Sequence, residues 1–188
     1  MSADELDEVV LLDEGGSVVG SMDKLAAHQR STRHLAFSVV LFADDGRVLL
    51  QRRAESKYHF AGRWSNTCCS HPRPGEPLRA AGRRRTREEL GLDPGPLEVQ
   101  GAFWYEARDL ASDLVEHEYD VVLVGGFDGA ELDLDRFDPA EVEATALTTL
   151  DSVRAACAAS PGDFTPWLPQ VLDIATGRPQ PVALDVPH

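Results

Sequence analysis

Residues Gly75 to Leu92 read GEPLRAAGRRRTREELGL. Pro77 suits the start of a helix and Gly91 suits its C-terminal stop, so a helix is predicted over Leu78–Leu90. Upstream, His34–Ala43 (HLAFSVVLFA) is a strand rich in Val, Phe and Leu. Asp45-Gly46 is the sharpest hairpin signal in the chain, and Arg47–Arg53 follows as the return strand. Glu8–Leu12 and Ser17–Gly20 read as a short hairpin around the turn cluster Asp13-Glu14-Gly15-Gly16. Residues 57–77, with Gly62, Pro72, Pro74, Gly75 and Pro77, read as loop. Downstream, Gly101–Ala107 and Glu116–Phe127 are predicted strands. Leu150–Ala159 and Pro166–Thr176 are predicted helices, the latter with Thr165 as N-cap and Gly177 past its end. Strands interleaved with helices predict a mixed α/β domain.

At 188 residues the chain has room for one domain, expected to span 1–188 with about 1–7 and 178–188 as loose termini. Hydrophobic residues make up 43% and charged residues 27%, which excludes disordered and fibrous classes. No apolar run approaches the roughly 18–20 residues of a membrane span, and the acidic start, MSADELDEVV, does not resemble a signal peptide. Three cysteines, two of them adjacent, do not make a disulfide framework. A cytoplasmic location is expected.

The net charge of −14 argues against a nucleic-acid or anionic-membrane partner. Its distribution is uneven. Residues 24–87 hold 14 of the 18 basic residues and only four acids, so this segment is +10 in a chain that is otherwise −24. A small polyanionic ligand suits such a segment. The bland alternative is a set of solvated arginines, given 16 Arg against two Lys.

Four constellations could carry chemistry. The first is the helix itself, where Arg85 and Glu89 could simply be an i,i+4 surface pair. The second is WSNTCCSHP, residues 64–72. Cys69 and His71 are two apart and share a side of an extended loop, and the neighbouring arginines are expected to favour a thiolate. The third is Glu116-His117-Glu118. Alternation sends both carboxylates to one face and His117 to the other, and the crowded pair needs a cation or a shared proton. The fourth is His28 with His34, just before the strong strand. With His71, Glu116 and Glu118 they make three imidazoles and two carboxylates, a donor set for Mn, Fe, Zn or Co with one octahedral position open.

Around the helix the chain resembles the Nudix box, G-x5-E-x7-R-E-U-x-E-E-x-G-U, registered on Arg84. Glu76, Glu88, Glu89, Gly91 and Leu92 match; Ser70 replaces the first glycine and Arg85 the glutamate after the arginine. Together with HLAFSVVLF, LLQRRAESK, GRWSNTCCSHP, the E-x-E pair and the late TPW, the chain resembles the type I isopentenyl-diphosphate isomerases from about Val9 to Ile174. His28 and His34 stand six apart, one fewer than the bacterial pattern.

The resemblance implies a Nudix-type mixed sheet flanked by helices and a double-bond shift from isopentenyl to dimethylallyl diphosphate. It implies Cys69 and Glu118 as the two acid/base groups, Tyr105 as a relay to Glu118, and Trp167 as a π face for positive charge. Lys24, Arg53, Lys57 and Arg85, with Arg84 beside them, would bind the diphosphate. His28, His34, His71, Glu116 and Glu118 would hold a Mn²⁺ or Zn²⁺ type ion. Glu89 and the Cys69 backbone would hold Mg²⁺ on the substrate. The expected partner is a small diphosphate, with the chain a monomer or weak homo-oligomer. A Nudix hydrolase and a non-catalytic diphosphate-binding module are the rival classes.

Overall fold

The computed structural model describes residues 8–128 and 136–177; the expected loose termini lie outside them. Strand β3 (His34–Ala43) is the spine, because ten mostly apolar residues can be buried on both sides. The other strands are β1 (Glu8–Leu12), β2 (Val18–Asp23), β4 (Val48–Arg53), β5 (Trp64–Ser65), β6 (Cys68–Ser70), β7 (Glu98–Arg108), β8 (Val115–Phe127) and β9 (Val142–Thr148). Along one edge β3 pairs in parallel with β8, from His34 opposite Glu118 to Ala43 opposite Phe127. It also meets three antiparallel partners: β1 at His34, β6 over Phe37–Val39 and β4 at Phe42. β7 extends the sheet beyond β8, β2 beyond β1, and β5 and β9 pair with β4. One parallel pair among antiparallel ones makes the sheet mixed, as expected.

Alternation sorts the sheet into two buried faces. Phe37, Val39, Leu41, Val121 and Leu123 pack with Ala81 and Leu90 of helix α2 (Leu78–Leu90). Val40 and Val122 point the other way, toward Val153 of α3 (Leu150–Ala159) and Leu168, Val171 and Leu172 of α4 (Leu168–Ala175). Helix α2 has the predicted bounds. Pro77 enters it in extended conformation, and Gly91 ends it at φ 63° in the left-handed region.

Several expectations are corrected. A six-residue helix, α1 (Lys24–Gln29), follows β2 and is capped by Asp23, whose side chain accepts from Ala26 N at 2.8 Å. The stretch expected to be loop contains β5 and β6, which are too short to carry a pattern and exist through pairing with β4 and β3. β9 is a further strand beyond those expected; it pairs with β4 from Val48–Thr148 to Arg53–Val142, with an irregularity between Arg52 and Arg53. Thr165 is not the N-cap of α4, which begins after Trp167 without a side-chain cap. Its hydroxyl instead lies 3.0 Å from Ser65 Oγ, across 100 residues of chain.

Candidate active site

The register of three strands gathers the site. Glu116, Glu118 and Asp120 alternate onto one face of β8, and His34 stands opposite Glu118 on β3. On the other edge of β3, Ser38 pairs with Cys69. Cys69 therefore shares this face, whereas Cys68 turns into the core beneath α2. His71 follows two residues after Cys69, and α1 brings in His28.

One ligand atom from each of His28, His34, His71, Glu116 and Glu118 lies within 4.8 Å of all the others. His28 Nε2 is 2.8 Å from Glu116 Oε2, His71 Nε2 is 2.8 Å from Glu118 Oε1, and His34 Nε2 is 3.3 Å from the same oxygen. His28 and His34 each place Nδ1 on a backbone carbonyl, of Lys24 at 2.5 Å and of Thr32 at 2.7 Å. A ring that donates from Nδ1 presents a bare Nε2 lone pair, the orientation of a metal-binding histidine. His28 Nε2, His34 Nε2 and Glu116 Oε2 are buried and make no hydrogen bond. Such a convergence of orphaned nitrogen and oxygen donors fits a divalent transition-type ion.

The electrostatics agree. Burial and then the Glu116 charge raise Glu118, while His59 and His28 outweigh burial and hold Glu116 well below the usual carboxylate range. Burial lowers His28, but Glu116 outweighs it and the net shift is upward. Burial first, then the charges of His34, Lys24 and His28, hold His71 well below the usual imidazole range, in the neutral form that a metal ligand requires. His117 points away from it and reaches Ser31 O at 3.1 Å, as alternation predicted.

Cys69 occupies the other end of the same cavity. Its thiol donates to Asn66 Oδ1 at 2.9 Å and its sulfur accepts the indole N–H of Trp167 at 3.2 Å. Burial first, then Asp120, pushes the thiol up to about 12. This corrects the expected thiolate: the sulfur is desolvated, and the nearby arginines do not offset that. Tyr105 donates its hydroxyl to Glu118 Oε2. Trp167 is buried between Phe60, at 5.2 Å edge-on, and Tyr105, at 5.7 Å, with the Arg53 guanidinium 6.0 Å from its ring.

Four of the five predicted cations, Lys24, Arg53, Lys57 and Arg85, line this cavity. Arg84 does not. It lines the adjoining groove with its guanidinium held by Glu76 at 2.7 and 2.8 Å. Arg85 makes the anticipated pair with Glu89, at 2.7 Å, and reaches Glu141 at 3.0 Å; Lys57 also pairs with Glu141. Glu89 is buried, accepts from Gln51 Nε2 at 3.2 Å, and does not line the cavity. Sequence reasoning missed Asn66, Asp120, Glu141 and His59. His59, whose Nε2 contacts Glu116 Oε1, lay in a segment read as loop with no ligand spacing around it.

Residues 32–168 match the NUDIX domain family. The isopentenyl-diphosphate Delta-isomerase of Streptomyces griseus is 48% identical over 166 residues, covering 88% of this chain and 81% of that one. The protein of the same name from Nocardia farcinica is 48% identical over 168 residues, 89% of this chain and 93% of its own. A crystal structure of a Deinococcus radiodurans protein superposes with a TM-score of 0.69 at 19% identity, over 88% of this chain and 96% of the other, a likeness of fold alone. The chain belongs to the NUDIX domain family and, within it, to the isopentenyl-diphosphate Delta-isomerases.

Proposed function

We propose that this chain interconverts isopentenyl diphosphate and dimethylallyl diphosphate by adding a proton at one carbon and removing one at another. The observation that carries the reading is the placement of Cys69 and Glu118. They stand on strands either side of β3, and both line one cavity. A double-bond shift needs two proton-carrying groups on opposite sides of a dry pocket. In one direction Cys69 gives a proton as Glu118 takes one; in the other the roles reverse. One C–H bond forms, one breaks, and the π bond moves between them.

Tyr105, on Glu118, relays that carboxylate's proton. Trp167 offers its ring to the positive charge that develops on carbon. Lys24, Arg53, Lys57 and Arg85 bind the diphosphate, and Arg84 supports them from the adjoining groove. His28, His34, His71, Glu116 and Glu118 would hold a Mn²⁺ or Zn²⁺ type ion, and Glu89 with the Cys69 backbone would hold Mg²⁺ for the diphosphate. Bound, these ions neutralise the carboxylate pair and the phosphate charge respectively. Arg85 stands where the box has a glutamate, so the substrate is clamped and not cleaved. The chain works on this small diphosphate in the cytoplasm, as a monomer or weak homo-oligomer.

Incubation of isopentenyl diphosphate with the protein and Mg²⁺ in heavy water tests the reading. Deuterium is expected in a methyl group of the dimethylallyl product, without release of phosphate or diphosphate. Phosphate release with an unlabelled carbon skeleton would mean a hydrolase, and neither change would leave a binding module.

A further inference from the structure

His59 lies on the segment between β4 and β5, 57 positions before Glu116, and is buried beside the His/Glu cluster. Its Nε2 contacts Glu116 Oε1, the oxygen that does not face His28. Its Nδ1 is buried and makes no hydrogen bond. The cost of burying this imidazole is therefore set against a single polar contact, which an apolar core residue would not need.

The backbone around it is held in place. Arg53 donates to the carbonyls of His59 and Phe60, both at 3.1 Å. Phe60, at φ 48°, is in the left-handed region that a phenylalanine rarely adopts, and its N–H is tied to Asp109 Oδ2 at 3.0 Å. Strain accepted at Phe60 presents His59 to Glu116.

We infer that His59 is a positioning residue of the metal centre: it donates Nε2–H to Glu116 Oε1 and so aims Oε2 at the ion. The inference rests on reading His28, His34, His71, Glu116 and Glu118 as that centre. A hydrogen-bonded outer partner of a ligating carboxylate contributes about 10–100-fold in metal affinity.

Zn²⁺ affinity of the untagged full chain, measured by chelator competition without substrate, tests it alongside the visible spectrum of the Co²⁺-loaded protein. His59→Ala is expected to weaken Zn²⁺ by about 10–100-fold and to change the Co²⁺ bands. His59→Gln retains a donor and is expected to remain within a few-fold of the wild type. His59→Phe keeps the ring volume without the donor and is expected to match His59→Ala, which serves if the alanine variant does not fold. His71→Ala is the control for the site itself. Loss of the ion in His71→Ala with wild-type affinity in His59→Ala or His59→Phe would overturn the inference and leave the metal centre standing. A glutamine variant as weak as alanine would likewise overturn it. Wild-type affinity in His71→Ala would remove the metal-centre reading and this inference with it.

Discussion

The indole N–H of Trp167 donates to the sulfur of Cys69 across 3.2 Å, joining residues 98 positions apart. The contact ties the chain's late helical segment to the β6 strand and fixes how the aromatic ring meets the cavity. A ring held in this way can stabilise positive charge without reorganising.

Trp167→Phe and Trp167→Leu should therefore differ. Phenylalanine keeps a π face but loses the N–H, whereas leucine loses both. Leucine is expected to cost a further 1–2 kcal/mol or so, roughly a tenfold lower kcat. Equal loss in the two variants, with unchanged melting, would show that the ring only packs.

Cys69 should behave as a weakly acidic thiol. Its pKa is raised from an ordinary value near 9 to about 12, so alkylation by iodoacetamide at neutral pH should be far slower than that of free cysteine. The linkage has a definite sign. A thiol raised in the folded state contributes stability that is complete below the unfolded pKa and is lost as pH rises toward 12. Urea midpoints of the wild type should fall relative to Cys69→Ser between about pH 9 and about pH 11. Parallel curves would contradict this.

Removing a divalent ion from the His/Glu cluster should destabilise the fold, because the Glu116 and Glu118 carboxylates then share a buried site without a cation. At a free ion concentration of about 100 Kd, linkage contributes about 2.7 kcal/mol, or a fall in Tm of about 5–10 °C on chelation. His71→Ala should be insensitive to chelator. Glu89→Gln should keep this response and instead raise the Mg²⁺ concentration needed for activity.

Asp109 holds the Phe60 N–H and Ser112 Oγ. Asp109→Ala leaves a buried donor unsatisfied at a strained residue and should cost about 1–3 kcal/mol in urea unfolding. Its carboxyl is depressed because these hydrogen bonds outweigh the effect of burial. The contribution is present above the ordinary carboxylate pKa and lost as pH falls below it, so the variant and wild type should converge in acid.

Local signals made much of this molecule legible. Pro77 and Gly91 bracket α2 because fixed φ and left-handed freedom are properties of single residues. Gly46, at φ 82°, makes the turn that Asp45-Gly46 announces. Period two alone assigns Glu116 and Glu118 to one face and His117 to the other, and keeps Cys69 with His71.

Other features depend on which distant segments meet. β6 and β9 become strands only because β3 and β4 offer them edges. His59 reaches Glu116 because Arg53 and Asp109 shape the intervening turn. Arg85 faces the cavity while its neighbour Arg84 turns to Glu76, a choice made by how α2 lies on the sheet. The neighbours of Cys69 in sequence point to a thiolate, whereas the folded protein holds a thiol. Desolvation and the field of Asp120 decide this, and both come from packing across the fold. Local sequence specifies the strongly patterned elements α2, β3 and β8, the facing of their side chains and the donor types; tertiary structure adds the edge-dependent strands and sets burial, partners and proton affinity, because those depend on through-space distance.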